Sequence, residues 1–305
     1  MNRTAVILST YNGKKFVSEQ IRTIMSQSEP VDLYIRDDGS EDGTKELLNV
    51  ISQGYAGRKV YLEFGDHVGI VDSYLSLIYS ISSNYQFVAF SDQDDLWKPE
   101  KLQIGILKLE SVGSSKPAIY GSNVIISDAH GYPKNTESSH KFPSFVGSLV
   151  ENIIIGCTLI MNNKALEVVQ RYRPNNSRNI IMHDWWIYSL ISYLGGQIVF
   201  DRKAYIYYRQ HEKNAVGVKT GLRKSYARLK RFRATQYRDL FKQAEELSHV
   251  PTAVEEFREE LRVFMSLSNE DDLISRLSTL IRLGIRMQTI SDTILLYLKF
   301  CALRS

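Results

Sequence analysis

Three aspartates lie within four residues near the end of an apolar run in this 305-residue chain. Asp92, Asp94 and Asp95 directly follow the segment 87–90, which reads Phe-Val-Ala-Phe. Carboxylates packed this closely repel one another and raise one another's pKa, and a bound divalent cation removes that conflict. Mg²⁺ and Mn²⁺ prefer oxygen ligands, and Mg²⁺ is usually held by one or two carboxylates together with substrate phosphates. The cluster therefore predicts a site for Mg²⁺ or Mn²⁺ and a diphosphate.

Two further polar segments follow apolar runs in the same way. Residues 9–13 read Ser-Thr-Tyr-Asn-Gly, and residues 37–44 read Asp-Asp-Gly-Ser-Glu-Asp-Gly-Thr. Each could be a turn and a helix cap, since Ser40 and Asp42 are good N-cap types. Three such segments at one edge of a sheet favour a ligand site, because ligands bind beyond the carboxyl ends of parallel strands. The chain lacks the Gly-Lys-Ser/Thr phosphate loop, and no glycine-rich dinucleotide fingerprint follows the first strand.

The elements that must position these segments alternate between strand and helix. Short apolar runs indicate buried parallel strands, and apolar residues at helical spacing indicate helices. The alternation predicts an α/β fold with a doubly wound, mostly parallel sheet and right-handed crossovers. The expected strands are 5–9, 31–36, 59–64 and 87–91, and the expected helices are 14–26, 44–51, 70–82 and a helix starting at Pro99.

The rest of the chain divides into a mixed segment and a helical segment. From 118 to 209 we expect strands at 118–127 and 156–161 and a long polar loop at 129–144, and long loops are often functional. From Gly221 onward the pattern is almost entirely helical. We therefore expect a catalytic domain over 1–218 and a helical C-terminal region over 219–305.

The three polar segments, in this order, resemble family 2 glycosyltransferases of GT-A fold. The third segment extends the likeness, because 91–102 read Ser-Asp-Gln-Asp-Asp-x-Trp-x-Pro-x-Lys-Leu. The resemblance covers about residues 3–211. It implies a Rossmann-like GT-A domain, in which a nucleotide-sugar half merges with a smaller acceptor half, and an inverting, metal-dependent sugar transfer.

The resemblance also implies roles for residues of the donor half. Asp94 matches the metal ligand of the Asp-x-Asp motif, His211 looks like the third metal or diphosphate contact, and Asp95 is a second candidate ligand. Arg209 and Asn214 would contact the diphosphate. The implied nucleotide-binding residues are Thr10, Tyr11, Asn12, Asp37, Asp38, Asp92 and Gln93.

In the acceptor half the resemblance assigns the catalytic base to Asp184. Many family members carry a Glu-Asp pair where this chain has His183-Asp184, so the role of His183 stays open. Asp184 could instead simply cap a helix rich in aromatic residues. His211 alone would more often be structural, and Cys157 is better read as a buried apolar filler than as a nucleophile. The expected acceptor-site residues are Trp97, Gly156, Cys157, Thr158, His183 and Trp185.

Three sequence motifs resemble, more closely, a rhamnosyltransferase-like subgroup of the family that builds bacterial surface polysaccharides. They are Ser-Asp-Gln-Asp-Asp-x-Trp, His-Asp-Trp-Trp and Tyr-Arg-Gln-His-x-x-Asn. This likeness implies a dTDP-L-rhamnose donor and a glycan or polyprenyl-diphosphate-linked acceptor of O-antigen, capsule or cell-wall rhamnan synthesis. The alternatives are a galactosyl-, glucosyl- or N-acetylhexosaminyltransferase that uses a UDP-sugar, a nucleotidyltransferase, and an inactive nucleotide-sugar-binding scaffold at a membrane.

The net charge of +4 is mild, but nine Lys and Arg residues lie between 213 and 238 with no acidic residue among them. Such a run could be a solvated helix face or could bind nucleic acid. We favour an anionic membrane surface, to which each basic residue adds about 1 kcal/mol of attraction, and we expect no nucleic acid.

No signal peptide, long apolar span or disulfide framework is expected. We thus expect a peripheral protein on the cytoplasmic face of the membrane, with homodimerisation as another use of the C-terminal helices.

Overall fold

The computed structural model of the chain describes residues 3–55, 59–136, 141–211, 234–252 and 254–302. Within these residues nine strands form one sheet. The strands are β1 (Thr4–Thr10), β2 (Val31–Asp38), β3 (Val60–Gly65), β4 (Phe87–Ser91), β5 (Leu96–Trp97), β6 (Ala118–Ser127), β7 (Pro133–Thr136), β8 (Ile160–Asn162) and β9 (Gln197–Arg209). Their order across the sheet is β3-β2-β1-β4-β8-β6-β9-β5, and β7 pairs with β6 beside this path.

The N-terminal strands β3, β2, β1 and β4 are parallel neighbours. Thr10 of β1 pairs with Asp37 of β2, and Leu8 of β1 pairs with Ser91 of β4. The carboxyl ends of the three strands therefore lie side by side, and the three polar segments leave the sheet at one edge. The expected α/β fold with a mostly parallel sheet is confirmed.

In the second half of the sheet, the end of β9 lies at the same edge as the three polar segments. β8 runs antiparallel between β4 and β6, and β6 pairs in parallel with β9. The short strand β5, which begins just after the acidic segment, pairs antiparallel with β9, with Leu96 opposite Tyr207. This pairing brings the end of β9 beside the acidic segment.

Eleven helices of the described residues surround the sheet and form the C-terminal region. They are α1 (Val17–Met25), α2 (Thr44–Gly54), α3 (Ile70–Ser80), α4 (Lys101–Ser111), α5 (Phe145–Ser148), α6 (Asn163–Arg171), α7 (His183–Tyr193), α8 (Ala234–Ser248), α9 (Glu255–Ser266), α10 (Leu273–Arg282) and α11 (Ile290–Ala302).

Three local expectations need correction. The helix expected from Pro99 begins at Lys101. The strand expected over 156–161 is a 3₁₀ turn, Gly156–Thr158, followed by β8, because the Thr158 N–H and hydroxyl both bond back to the Ile155 carbonyl. The polar stretch 129–144, expected as a loop, contains the strand β7. Apolar periodicity could not distinguish these short elements, since the turn depends on local bonds to Ile155 and β7 on pairing with β6.

The described C-terminal helices pack against the catalytic half. Phe264 and Phe300 are fully buried in the same apolar cluster as Trp186 of α7. The hydroxyl of Thr252 donates to the backbone carbonyl of Tyr193 at 2.9 Å. The expected domain boundary at 218/219 and most of the basic run, up to residue 233, lie outside the described residues.

Candidate active site

The acidic segment meets the end of β9 through a direct side-chain contact. Nε2 of His211 lies 2.8 Å from Oδ2 of Asp94, and both side chains are about one-tenth exposed. The backbone N–H of Arg209 donates to Oδ1 of Asp95 at 3.2 Å. The structure thus brings together Asp94 and His211, the two residues expected to hold the metal.

Burial weakens ionisation of the three aspartates, and repulsion by neighbouring aspartates adds to this for Asp92 and Asp95. Burial, then the charge of Asp94 and to a smaller extent that of Asp184, raise the pKa of Asp92 to about 7 against the opposing hydrogen bond from Tyr74. Burial also raises the pKa of Asp94, against the opposing effect of its bond to His211. The pKa of Asp95 is raised well above its usual value by burial and by its two neighbours. Such a cluster favours a cation, which would return the carboxylates to their ionised form.

Asp95 lies beneath the segment rather than at its surface. Asp95 and Cys157 are both fully buried, and burial is the main cause that raises the pKa of the thiol. Lys101 is buried beside them, with its Nζ 3.2 Å from the centre of the Trp97 ring. Burial lowers the pKa of the Lys101 ammonium to about 7. This group forms the floor of the acidic segment.

Two sets of side chains could hold a divalent cation. One ligand atom each from Asp92, Asp95 and Cys157 lies within 4.8 Å of the others. Mg²⁺ and Mn²⁺ prefer oxygen ligands, however, and a protonated, fully buried thiol is a poor partner for them. Asp94 and His211 are the better fit, with Asp92 adjacent, because their donor atoms are nearer to solvent. The residues present therefore fit a hard divalent cation at the Asp94 side of the cluster.

The side chain of Gln93 ties the acidic segment to the end of β1. Its Oε1 accepts from the Thr10 hydroxyl at 2.6 Å and from the Tyr11 N–H at 2.9 Å, and its Nε2 donates to the Tyr11 carbonyl at 3.2 Å. A Cβ on Gly13 would lie 2.3 Å from the same Oε1. A larger residue there would therefore displace the Gln93 side chain, which holds the loop that carries Tyr11.

The second polar segment is joined to the first by Asn12, whose φ of 49° lies in the left-handed region that Asn tolerates. Its N–H donates to the Ser40 hydroxyl at 2.8 Å, and its Oδ1 accepts from the Glu41 N–H at 2.9 Å. Asp37 is fully buried and accepts the Ser40 N–H at 2.9 Å. Asn12 and Asp37 thus fix the shape of the two loops.

The Asp38 carboxylate organises the loop that follows β3. Its oxygens accept the backbone N–H groups of Val68 and Gly69 at 3.0 and 2.9 Å, and Arg36 also bonds to it. The His67 ring lies 3.0 Å from it and stacks on Tyr11, with ring centres 4.2 Å apart. Both rings are partly exposed, so they could stack on the flat face of a nucleotide base. The sequence analysis missed His67. It lies just beyond the carboxyl end of β3, and ligands bind beyond the carboxyl ends of parallel strands, so its position could have indicated it.

Asp184 is the second residue of α7, on the other side of the site. Its Oδ1 accepts the N–H of Trp185 at 2.7 Å, and burial raises the pKa of its carboxyl to about 6. A Cβ on Gly156 would lie 3.2 Å from Oδ2 of Asp184 and 3.1 Å from Nε2 of His183. Gly156 therefore leaves room for these two side chains. A carboxylate with this pKa is suited to accept a proton near neutral pH.

The other expected acceptor residues lie deeper than their roles would suggest. Cys157 and Thr158 are fully buried, and Trp97 and Trp185 are less than one-tenth exposed. The indole N–H of Trp185 donates to the Ser148 carbonyl at 2.6 Å, which anchors the start of α7. These side chains support the walls of the site, and Asn214 lies outside the described residues.

Two residues of the α1 region position the end of β9, and neither was foreseen. The Phe16 ring stacks on His211 with ring centres 4.7 Å apart, and the Arg209 guanidinium lies 4.7 Å from the same ring. Glu19 bonds to Arg209 at 2.7 Å. A phenylalanine that precedes an amphipathic helix gives no signal of this kind in a sequence, since it reads as a core residue.

The geometry thus places an acidic cluster and His211 at the carboxyl edge of a parallel sheet, with the Asp184 carboxyl close to Asp92. The model of the family described as Glycosyl transferase family 2 matches residues 5–170, which is more than half of the chain. The chain belongs to this family.

Relatives and solved structures agree with the family. The dTDP-rhamnosyl transferase RfbG of Shigella flexneri is 29% identical over 240 residues, which are 76% of this chain and 81% of RfbG. The putative teichuronic acid biosynthesis glycosyltransferase TuaG of Bacillus subtilis is 26% identical over 159 residues, 52% of this chain and 60% of TuaG. The chain is thus similar to rhamnosyl and other polysaccharide glycosyltransferases, as the sequence motifs indicated.

Two structural likenesses bear on the fold alone. S. aureus TarS in complex with UDP-GlcNAc has a TM-score of 0.60 at 15% identity, over 93% of this chain and 80% of that chain. The mannosyltransferase PcManGT from Pyrobaculum calidifontis, in complex with GDP-Man and Mn²⁺, has a TM-score of 0.58 at 15% identity, over 99% of this chain and 86% of that chain. The GT-A assignment is confirmed.

Proposed function

We propose that the chain transfers L-rhamnose from dTDP-L-rhamnose to a glycan or lipid-linked oligosaccharide of a bacterial surface polysaccharide, with inversion at the anomeric carbon. One observation carries the proposal: Asp94 and His211 meet at 2.8 Å at the carboxyl edge of the strands, in a chain of glycosyl transferase family 2. The 29% identity over most of both chains favours rhamnose among the donor sugars.

The chemistry proposed for Asp184 is general base catalysis. The acceptor hydroxyl oxygen forms a bond to the anomeric carbon while the bond from that carbon to the diphosphate oxygen breaks, and its electron pair leaves with the dTDP. The hydroxyl proton passes to the Asp184 carboxylate. One displacement inverts the configuration, through an oxocarbenium-like state. A carboxyl pKa of about 6 lets Asp184 be ionised at neutral pH and still accept a proton.

The donor end is held by the loops around β1 and β2. Tyr11 and His67, which stack at 4.2 Å, offer a face for the thymine ring, and Asp92 would lie near the ribose. Asp94 and His211 would hold Mg²⁺ or Mn²⁺. Such a cation, when bound, neutralises charge on the leaving diphosphate. Arg209, fixed by Glu19 and Phe16, is the proposed diphosphate partner.

A donor screen tests the proposal. The purified chain is incubated with Mn²⁺ and, separately, with dTDP-rhamnose, UDP-glucose, UDP-galactose and UDP-GlcNAc, and release of nucleoside diphosphate is followed. We expect metal-dependent release to be fastest from dTDP-rhamnose. Faster release from a UDP-sugar would favour the hexosyltransferase alternative. Nucleotide-induced thermal stabilisation without hydrolysis or transfer of any donor would favour the scaffold alternative.

Peripheral attachment to the cytoplasmic face of a membrane is the proposed location. Across the part of the chain that the structure describes, no helix has the length and apolar character needed to cross a bilayer. The adjacent helices α10 and α11 instead expose seven large aliphatic side chains, and Arg282 and Arg286 are exposed beside them. An apolar face with basic neighbours suits an anionic lipid surface. The exposed residues are Leu273, Ile274, Leu277, Ile281, Ile290, Ile294 and Leu298.

A further inference from the structure

Tyr74 of α3 lies between the donor carboxylates and the proposed base. Its ring is 1% exposed and stacks on His183, with ring centres 3.9 Å apart and an interplanar angle of 21°. Its hydroxyl lies 2.7 Å from the Ser91 carbonyl and 3.0 Å from Oδ1 of Asp92. One side chain therefore contacts the end of β4, the first aspartate of the acidic segment and the residue before Asp184.

The hydroxyl of Tyr74 acts as a hydrogen-bond donor in this position. Burial, and then the Asp92 carboxylate, raise the pKa of the phenol well above its usual value, so the proton stays on its oxygen. The Ser91 carbonyl can only accept, and so can the Asp92 carboxylate in the ionised form that a bound cation would favour. The single proton is thus shared between a fixed backbone acceptor and Asp92, which holds the carboxylate close to the strand end. A bond to an ionised group of this kind is stronger than one between neutral groups.

The ring of Tyr74 acts on the other half of the site through His183. The His183 side chain is 1% exposed, and neither ring nitrogen has a hydrogen-bond partner among the described residues. Burial lowers the pKa of the imidazole to about 3, so the ring is neutral. Its position depends on packing: Tyr74 lies on its face, and Gly156 faces its Nε2. Asp184 is the next residue and packs against the same glycine.

We propose that Tyr74 is a positioning residue that links the donor site to the base, with its hydroxyl fixing Asp92 and its ring fixing His183 and thereby Asp184. The inference rests on the proposed function, because it assigns Tyr74 a part in the same reaction. It also explains why a polar aromatic residue, rather than an aliphatic one, occupies this buried point of α3.

A purely structural role makes a different prediction. Tyr74 belongs to the main apolar cluster, and its ring also lies 5.8 Å from that of Phe90. If Tyr74 served packing alone, Tyr74→Phe would keep the ring and have no effect on donor binding. Tyr79 of the same helix provides a matched control, because its buried hydroxyl has no hydrogen-bond partner among the described residues. Tyr79→Phe removes the same atom from the same helix, away from Asp92.

The experiment compares Tyr74→Phe, Tyr74→Leu and Tyr79→Phe with the wild-type chain. For each we would measure the Mn²⁺-dependent affinity for dTDP by calorimetry and the KM and kcat for the donor. Tyr74→Phe should weaken dTDP binding and raise the donor KM about 10- to 100-fold with kcat nearly unchanged, the range expected for a lost bond to a charged group. Tyr74→Leu should in addition lower kcat at least tenfold. Tyr79→Phe should match the wild type.

Wild-type dTDP affinity and donor KM in Tyr74→Phe would overturn the link to Asp92. An unchanged kcat in a folded Tyr74→Leu variant would overturn the link to the base. Calorimetry does not need turnover, so a wild-type chain that binds dTDP but transfers no sugar would count against the proposed function and leave the test of the Asp92 contact intact.

Discussion

His211 and Asp94 lie 2.8 Å apart although 117 residues separate them in the chain. The contact exists because β5 follows the acidic segment directly and pairs antiparallel with β9. Phe16 and Glu19 then fix the end of β9 from the side of α1. The proposed metal site is therefore a product of sheet topology, and substitutions at either of its ends should impair the same step to different degrees.

Removal of either proposed metal ligand should reduce turnover. We expect Asp94→Ala to reduce transfer at least 1000-fold and His211→Ala to reduce it at least tenfold, because the charge on the leaving diphosphate loses its counter-ion. Excess EDTA should abolish wild-type activity, and Mn²⁺ or Mg²⁺ should restore it. Radiolabelled or coupled transferase assays would measure this. Full activity in EDTA would reject the metal proposal.

Replacement of the base should separate binding from chemistry. Asp184→Asn should lower kcat by about 10³-fold or more and leave dTDP affinity nearly unchanged, since the side chain is isosteric but cannot accept the proton. In the wild type, kcat should fall as the pH drops below about 6, where the raised pKa of Asp184 leaves the base protonated. A profile of kcat against pH measures this fall at acidic pH. Near-wild-type transfer by the variant would show that another group is the base.

The same substitution should stabilise the folded chain at neutral pH. Burial raises the pKa of Asp184 from 3.8 to about 6, so ionisation in the folded state costs up to about 3 kcal/mol above pH 6. Asp184→Asn removes this cost. The gain in unfolding free energy should be full above pH 6, decline as the pH falls through 6 towards 3.8, and vanish below that. Urea unfolding at pH 7.5 and pH 4 measures the difference, and equal gains at both pH values would contradict it.

A methyl group at Gly13 should disturb donor binding. In Gly13→Ala the new Cβ would lie 2.3 Å from Oε1 of Gln93 and 2.4 Å from Oγ1 of Thr10, so the bonds that hold Tyr11 must break. We expect the donor KM to rise about tenfold or more. Gly54→Ala is the control, because the new Cβ meets nothing within 4 Å. Equal donor KM values for the two variants would show that Gln93 does not fix the donor loop.

The exposed face of α10 and α11 should bind anionic membranes. Exchange of Ile274, Ile281 and Ile290 for serine should reduce pelleting with phosphatidylglycerol vesicles at least fivefold, since each buried side chain contributes apolar area. Val50→Ser and Leu107→Ser, at exposed apolar positions outside this face, are the controls.

A second set of variants tests the basic run. Lys230, Arg231 and Arg233 exchanged for glutamate should weaken the same pelleting, because attraction to anionic lipid is lost. Unchanged pelleting would remove this run from the membrane proposal. A concentration-dependent dimer that the serine variants abolish, without any vesicle binding, would assign the face of α10 and α11 to a second copy of the chain.

The sequence by itself determined the class of fold, the edge of the sheet that carries the site and the family. These depend on local signals, because apolar runs mark strands and polar segments at their carboxyl ends mark the ligand edge. Asp92 and Asp94 could be named for that reason, and Asp184 through the resemblance to the family. Their motifs are short and lie within single segments of the chain.

Only the tertiary structure decided which side chains hold the loops of the site and which contact other site residues. Gln93 and Asp38 have their polar atoms engaged by backbone groups of other loops, and Tyr74, His67 and Phe16 contact site residues far away in the chain. A hydrogen bond or ring contact between distant segments leaves no periodic trace in a sequence. It depends on sheet order and strand register, which bring those segments to within a few ångströms of each other.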